Sequence, residues 1–161
     1  MSDMELTVRP ARAEDRERLI PLINAAFAAA EPFMTGPRTD PERLAKSMET
    51  GTILLAEDPG GHLLASVYIE VRGERGYAGM LAVDRSLQKS GIGRSMMSEA
   101  ESFLRAKGCE VLDITVLSLR PELPSLYRKF GFVETGTEEF RYPHPIAGGQ
   151  ECYCIVMTKE L

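Results

Sequence analysis

Cysteine is scarce in this sequence of 161 residues, which contains only Cys109, Cys152 and Cys154. Their odd number and their spacing fit neither a disulfide framework nor a zinc site. We therefore expect small, partly buried thiols in a reducing compartment, and no bound metal. This interpretation predicts a cytoplasmic protein.

Long apolar stretches are also missing. The longest one near the start runs from Pro21 to Ala30, contains Asn24 and is too short to span a bilayer. The first five residues lack the basic and apolar regions of a secretory signal peptide. These absences argue against a membrane protein and against a secreted one.

Basic residues form no band, and aromatic residues do not interleave with them, so we expect no nucleic-acid partner. The net charge of −5 leaves room for an amine ligand. The apolar share of 43% and the charged share of 27% are typical of a globular domain. Because no linker, repeat or low-complexity tract divides residues 1–161, the sequence predicts a single domain with its own core.

The most informative stretch covers residues 81–95, where an apolar strand end passes through a polar turn into a helix. Gly91 and Gly93 at the helix start leave several backbone N–H groups bare. The helix dipole, Lys89 and Arg94 add positive charge at the same place. Such a turn suits a phosphate or a pyrophosphate. The alternative is that the glycines serve only the tight geometry of a strand-to-helix turn.

Hydrophobic periodicity predicts the element order β-α-α-β-β-β-α-β-α-β-β. The strands at 77–83 and 111–119 flank a helix at 92–107, so they should be parallel with a right-handed crossover. The other predicted strands are 6–10, 52–57, 62–72, 132–142 and 151–159, and the other predicted helices are 13–29, 40–49 and 123–131. The loops 31–39 and 143–150 show the least hydrophobic periodicity.

Two sequence motifs lie roughly thirty residues apart. Residues 88–93 read Q-x-x-G-x-G after a strand, and residues 126–132 read L-Y-x-x-x-G-F. This pair resembles the acetyl-CoA signature and the distal motif of the GNAT family of N-acetyltransferases, over nearly the whole chain. The resemblance implies acetyl-CoA as the cofactor. It also implies an α/β (α+β) GNAT fold, with a mixed central sheet of about seven strands, a splayed parallel pair and about four flanking helices.

The resemblance assigns roles to both motifs. Backbone groups around Leu81, Ala82 and Val83 would bind the pantetheine arm of coenzyme A, and the turn would hold its pyrophosphate. Tyr127 matches the general acid that protonates the departing thiolate, because a phenol of pKa about 10 stays protonated at neutral pH. The alternative is a tyrosine that packs its helix against the sheet. The remaining predicted cofactor contacts are Gln88, Lys89, Ser90, Gly91, Ile92, Gly93, Arg94, Ser95 and Arg120, the last where many relatives have asparagine.

The general base is harder to assign. Many relatives carry a glutamate four residues before the position of Leu81, and this chain has Tyr77 there. Glu70 is the nearest substitute, since pairing about a turn at 73–76 would place it opposite about Gly79. A solvated glutamate and a water chain to backbone carbonyls are the alternatives. We expect the cysteines to lie outside the cleft, which favours direct transfer without an acetyl-enzyme.

The loops 31–39 and 143–150 should bound the acceptor site, which predicts acceptor contacts at Phe33, Met34, Tyr77 and His144. A surface histidine without a role is the alternative for His144. The resulting hypothesis is an acyltransferase that acetylates a primary amine, preferably of a small molecule. The alternatives are a non-catalytic acyl-CoA-binding or sensing module and a protein N-terminal acetyltransferase. The resemblance also allows a homodimer.

Overall fold

The computed structural model describes residues 5–141 and 144–161. The last residue of the predicted strand 132–142 and the first residue of the predicted loop 143–150 lie outside the described residues, as do residues 1–4. The strands are β1 (Thr7–Pro10), β2 (Thr52–Glu57), β3 (Leu63–Arg72), β4 (Arg75–Val83), β5 (Val111–Leu117), β6 (Val133–Glu139) and β7 (Tyr153–Glu160). The α-helices are α1 (Arg16–Ala30), α2 (Pro41–Thr50), α3 (Ile92–Ala106) and α4 (Glu122–Arg128), with short 3₁₀ turns at Ala13–Asp15, Arg85–Leu87 and Ala147–Gly149.

The seven strands form one sheet in the order β1-β2-β3-β4-β5-β7-β6. Only β4 and β5 are parallel, and every other neighbouring pair is antiparallel. The predicted element order and the predicted mixed sheet with one parallel pair are therefore confirmed. The helical crossover through α3 is what allows β4 and β5 to run in the same direction.

The centre of the sheet is buried on both faces, as strand β2 shows. Ile53 and Leu55 pack toward α1 and α2, and Leu54 and Ala56 pack toward α3. Because successive side chains of a strand point to opposite faces, a strand with helices on both sides must be apolar throughout. The helices contribute Leu19, Ile23 and Leu44 on one face and Met96, Ala100 and Leu104 on the other.

A charged cluster joins β1, α1 and β2 at one edge of the sheet. The Asp15 carboxylate, 5% exposed, accepts hydrogen bonds from the Arg9 guanidinium at 2.9 and 3.0 Å and from Arg18 at 3.0 Å. It also accepts from the Arg12 backbone N–H at 2.8 Å. Glu57 completes the cluster by accepting from Arg9 at 2.9 Å and from Arg18 at 2.6 Å. Every carboxylate oxygen in this cluster therefore has a donor.

The helices of the described residues are short. The longest, α1 and α3, contain 15 residues each. None of the helices in 5–141 and 144–161 has the length and apolar character needed to cross a membrane. Over the same residues, no three His, Cys, Asp or Glu side chains come together as the ligands of a metal ion would.

Candidate active site

The parallel strands β4 and β5 stay together over only three residue pairs, the last of which joins Tyr77 and Asp113. Beyond that pair the strands separate, and the Tyr77 hydroxyl lies 3.4 Å from Thr115 Oγ1 near the point of divergence. The gap forms a cavity of about 430 Å³, which we call the wedge cavity. The splayed parallel pair that the resemblance implied is thus confirmed. The wall of the wedge cavity includes Glu31, Tyr77, Leu81, Thr115, Arg120 and Tyr127.

A bulge in β4 accompanies the divergence. The register between β3 and β4 shifts between Ser66 and Tyr68, and Met80 has a φ of 52°. A non-glycine residue seldom adopts a positive φ, and a bulge bends its strand and increases the local twist. The bulge therefore turns the second half of β4 away from β5. No sequence pattern marks Met80 for this conformation.

A second cavity, of about 420 Å³, opens beside the glycine turn that precedes α3. Gly91 caps α3 with a φ of 88°, and no side chain caps the helix. The amides of Ile92, Gly93 and Arg94 therefore have no acceptor within the helix. These N–H groups and the helix dipole suit an anion such as the pyrophosphate of coenzyme A. This turn cavity is lined by residues 87–94 and by Leu81, Val83, Tyr127 and Phe130.

The two glycines of the turn have different reasons to be glycine. Gly91 has the left-handed conformation that L side chains rarely adopt, although a Cβ there would meet nothing within 4 Å. A Cβ on Gly93 would make ordinary contacts, the nearest to Val83 at 3.6 Å. Neither backbone conformation nor crowding requires Gly93. Its missing side chain instead leaves the first turn of α3 open to a ligand.

Four of the other predicted cofactor residues of the turn have contacts within the chain. The Arg94 guanidinium lies 4.8 Å from the centre of the Phe130 ring, and Gln88 donates to the Val83 carbonyl at 3.1 Å. Both side chains are therefore held at the rim of the turn cavity. The backbone N–H groups of two other residues already have acceptors within the chain, and these residues are Ser90, bonded to Leu87, and Ser95, bonded to Gly91.

Tyr127 borders both cavities. Its ring packs edge-on against Phe130 and Phe132, with centroids 6.4 and 5.7 Å apart. Its hydroxyl makes no hydrogen bond with any residue that the structure describes. Burial raises the pKa of the phenol, and the positive charge of Arg120 acts in the opposite direction. A protonated phenol with an unused hydroxyl at this boundary can donate a proton to a group that lies between the cavities.

The predicted position of Glu70 is wrong. Residue Arg72 pairs directly with Arg75, so the turn after β3 contains two residues instead of the expected four. Gly73, with a φ of 66°, allows this tight reversal. The shorter turn shifts the register, and Glu70 lies opposite Tyr77 rather than Gly79.

The surroundings of Glu70 also differ from those of a base. Its carboxylate lines neither cavity. It accepts hydrogen bonds from Arg72 at 2.9 Å and from the Tyr68 hydroxyl at 2.8 Å. The hydrogen bond from Arg72 is the main cause that lowers the pKa of Glu70. A carboxylate stabilised in this way has little tendency to take up a proton.

Two of the four predicted acceptor contacts, Met34 and Tyr77, line the wedge cavity. Phe33 and His144 do not line it. The His144 ring lies against Gly36, where a Cβ would come within 2.6 Å of it. Both residues occupy the junction of the two loops, and a direct contact with an acceptor stays a prediction for them.

The loop 31–39 contacts residues 144–150 of the second loop. An isolated antiparallel bridge joins Met34 to Ile146, and the Ala147 amide donates to the Phe33 carbonyl at 2.7 Å. A loop that has its own backbone hydrogen bonds is restrained although it contains no regular strand. Of the joined loops, residues 31–39 contribute Glu31, Met34 and Arg38 to the wall of the wedge cavity, and residues 144–150 do not line it.

Charged residues that the sequence did not reveal as acceptor contacts also line the wedge cavity, and they are Glu31, Arg38 and Arg141. Arg120, predicted near the cofactor, lines this cavity and not the turn cavity. Burial raises the pKa of Glu31, with Arg120 and Arg38 opposing the shift. The only sequence signal for Glu31 was a lone acidic residue where α1 meets a proline-rich loop.

The expectation that all three cysteines lie outside the cleft is wrong for Cys154, which lines the wedge cavity. The reason is topological, because Cys154 pairs with Leu117 on the part of β5 that has left β4. Burial raises the pKa of the Cys154 thiol, and Cys152 acts in the same direction. A thiol that stays protonated is a weak nucleophile. Cys109 is buried in the core.

The sheet opens where β4 and β5 separate. The glycine turn, whose amides can bind an anion, lies on one side of this opening, and the wedge cavity lies on the other. The cleft can therefore hold two substrates for group transfer. The model of the GNAT acetyltransferase domain family matches residues 49–134, and the chain belongs to this family. The chain is 24% identical to the mycothiol acetyltransferase of Propionibacterium freudenreichii subsp. shermanii over 133 residues. This match covers 79% of the chain and 43% of the relative, so the chain spans less than half of that protein's length.

Solved structures share the fold at low sequence identity. A GNAT family acetyltransferase from Elizabethkingia anophelis with acetyl-CoA bound has a TM-score of 0.73 and 23% identity, covering 97% of this chain and 98% of that one. The ribosomal-protein-alanine N-acetyltransferase of Brucella melitensis has a TM-score of 0.75 and 20% identity, covering 96% and 99%. The IAA acetyltransferase of Bacillus cereus has a TM-score of 0.71 and 19% identity, covering 98% and 100%. These likenesses show the fold.

Proposed function

We propose that this chain transfers the acetyl group of acetyl-CoA to a primary amine of a small molecule, by direct attack in a ternary complex. The observation that carries the proposal is the place of Tyr127, which borders both the turn cavity and the wedge cavity and whose hydroxyl has no hydrogen-bond partner among the described residues. When bound, the cofactor supplies an activated thioester. The chain's own task is to hold that thioester beside the amine and to move protons.

The turn cavity fits the anionic part of coenzyme A. The bare amides of Ile92, Gly93 and Arg94 and the Arg94 guanidinium would hold the pyrophosphate. The open edge of β4 around Leu81 and Val83 would hold the pantetheine arm, because β5 does not pair with this part of the strand. Tyr127 would then protonate the departing sulfur.

Direct transfer is supported by the state of the thiol nearest the cleft. A covalent acetyl-enzyme would need Cys154 as a thiolate, and burial of this side chain favours the protonated thiol. A small acceptor is supported by the volume of the wedge cavity, about 430 Å³, which is in the usual range for a small-molecule site.

The test is to incubate the protein with acetyl-CoA and a panel of amines, to follow free thiol and to detect the acetylated amine by mass spectrometry. We expect thiol release that depends on the amine, with equal amounts of acetylated product. Tight binding of coenzyme A without thiol release for any amine or peptide would favour the acyl-CoA-binding module instead. An acetylated Cys154 that forms and decays at the turnover rate would overturn direct transfer.

A further inference from the structure

Two charged side chains of the wedge cavity face each other without a hydrogen bond. Glu31 Oε1 lies 3.9 Å from Arg120 Nη1, which is too far for one. Glu31 Oε2 is buried and has no partner within the described residues. Arg120 donates from Nε to Glu122 at 2.5 Å, but within the same residues neither terminal nitrogen makes a hydrogen bond.

Both side chains are largely withdrawn from solvent, with 15% of Glu31 and 22% of Arg120 exposed. Burying a charged group without hydrogen bonds is costly, and an ion pair recovers that cost only when its remaining donors and acceptors are satisfied. The pair therefore has capacity for a ligand that brings one cationic donor and one anionic acceptor.

The charge of the cavity points the same way. Among the described residues, the charged side chains that line it are Glu31, Arg38, Arg120 and Arg141. Arg141 is 85% exposed and lies 3.6 Å from Glu139, so Arg38 and Arg120 are the arginines whose charges act on Glu31. The whole chain carries a net charge of −5, so this local excess of positive charge runs against the overall balance. A cavity of this kind attracts an anionic group and still offers one carboxylate to an ammonium group.

We infer that the acceptor is a zwitterion of the α-amino-acid type, with its ammonium group on Glu31 and its carboxylate on Arg120. This inference rests on the proposed function and names its substrate class. The rest of the wall includes Phe27, Met34 and Leu123, which suit an apolar side chain such as that of leucine, methionine or phenylalanine.

The protons balance in this arrangement. The ammonium group gives one proton to Glu31, and the neutral amine then forms the C–N bond while the C–S bond breaks. Tyr127 gives its proton to the sulfur and recovers one from the nitrogen. The proton on Glu31 leaves to solvent, so the products are the N-acetyl amino acid, free coenzyme A thiol and one proton.

The first experiment compares matched acceptors with acetyl-CoA. Leucine, methionine and phenylalanine are each tested beside the carboxamide and beside the decarboxylated amine, which for leucine is isoamylamine. We expect kcat/KM to be about 10–100-fold higher for the amino acids, because the carboxamide lacks the negative charge that Arg120 binds and the decarboxylated amine lacks the whole acceptor group. Equal or faster turnover of the analogues would overturn the inference and leave the proposed function standing.

The second experiment uses Arg120→Gln, with the exposed α3 residue change Arg105→Gln as the matched control. Arg120→Gln should raise KM for leucine and lower the ratio of kcat/KM for leucine to kcat/KM for isoamylamine by about 10–100-fold. Arg105→Gln should alter neither value. An equal loss for both acceptors would mean that Arg120 acts on the cofactor or the fold, which contradicts the inference.

A binding measurement separates the two proposals. Calorimetric titration of the three amino acids into protein saturated with coenzyme A should show binding that Arg120→Gln weakens. If that binding is found without thiol release in any assay, the zwitterion site stands and the proposed transfer fails. If none of the three amino acids binds or reacts, the inference is overturned.

Discussion

Two regions of this molecule bury arginine beside carboxylate, and they do so in opposite ways. In the cluster of Arg9, Asp15, Arg18 and Glu57, every carboxylate oxygen accepts a hydrogen bond. In the wedge cavity, Arg120 approaches a buried glutamate only to 3.9 Å. A satisfied cluster holds elements of the fold together, whereas an unsatisfied one keeps its capacity for a ligand.

The pKa directions follow the same division. Hydrogen bonds from Arg9 hold the pKa of Asp15 well below its usual range. Burial raises the pKa of Glu31, because few donors compensate for the loss of water. The comparison teaches that the environment of a buried carboxylate distinguishes a structural role from a chemical one more clearly than the identity of its neighbour does. The predictions below test both sides.

The largest effect is expected at the unsatisfied hydroxyl of the cleft. Tyr127→Phe keeps the ring packing and removes the proton donor, so kcat should fall by about 10²–10⁴-fold. The affinity for coenzyme A and the melting temperature should change little, because the hydroxyl has no partner in the described residues to lose. The exposed Tyr153→Phe is the control. Intact turnover combined with a lower melting temperature would identify Tyr127 as a packing residue.

Mutation of the cluster of Arg9, Asp15, Arg18 and Glu57 should lower the stability of the fold. Asp15→Ala leaves two guanidinium groups without their shared carboxylate, and the free energy of unfolding should fall by about 3–5 kcal/mol in a denaturant titration. Glu14→Ala removes a neighbouring carboxylate that is 70% exposed and should cost less than about 1 kcal/mol. Similar losses for the two variants would contradict the structural role of the cluster.

The same cluster predicts how the stability of the fold changes with pH. The folded-state pKa of Asp15 is lowered, so its contribution to stability is present above the ordinary pKa and is lost as the pH falls below about 4. Wild-type protein should therefore lose stability on acidification from pH 5 to pH 3, and Asp15→Asn should lose less. Parallel curves for both proteins would show that other carboxylates dominate acid unfolding.

The bare amides of the turn should respond to charge. Gly93→Glu places a carboxylate beside them and should weaken coenzyme A binding by about tenfold or more, since about 1.4 kcal/mol of repulsion suffices. Gly93→Ala is the matched control, because a Cβ fits there with ordinary contacts. Calorimetry with coenzyme A measures both variants. Equal affinity for Glu and Ala would show that the turn does not hold the phosphates.

The smallest effect is a gain in stability at the wedge cavity. The folded-state pKa of Glu31 is raised, so the ionised form opposes folding once the pH exceeds that pKa. Glu31→Gln should therefore melt slightly higher than wild type at pH 7 and equally at pH 4, while turnover falls. Glu17→Gln, at the exposed start of the same helix, should change neither. A lower melting temperature for Glu31→Gln at pH 7 would show that Glu31 stabilises the fold.

Much of the fold could be predicted because its signals are local. The apolar period identified each helix and strand, and Gly91 with Gly93 marked the turn before α3. The position of Tyr127 beside the turn cavity also follows from its motif. The error at Glu70 has an equally local origin, since composition cannot distinguish a two-residue turn from a four-residue one when Gly73 and Gly76 both allow a reversal.

The sequence by itself determined the order of the elements and the glycine turn before α3, because residues within a few positions of one another mark each element. The order strand, helix, strand then predicted the crossover that makes β4 and β5 parallel. Only the tertiary structure decided that Glu31, Arg120 and Cys154 meet in the wedge cavity. Glu31, Arg120 and Cys154 are far apart along the chain, and they meet because a bulge at Met80 turns β4 away from β5 and because β7 pairs with the departing strand. Such a meeting depends on how the strands diverge and pack, which no short segment of sequence encodes.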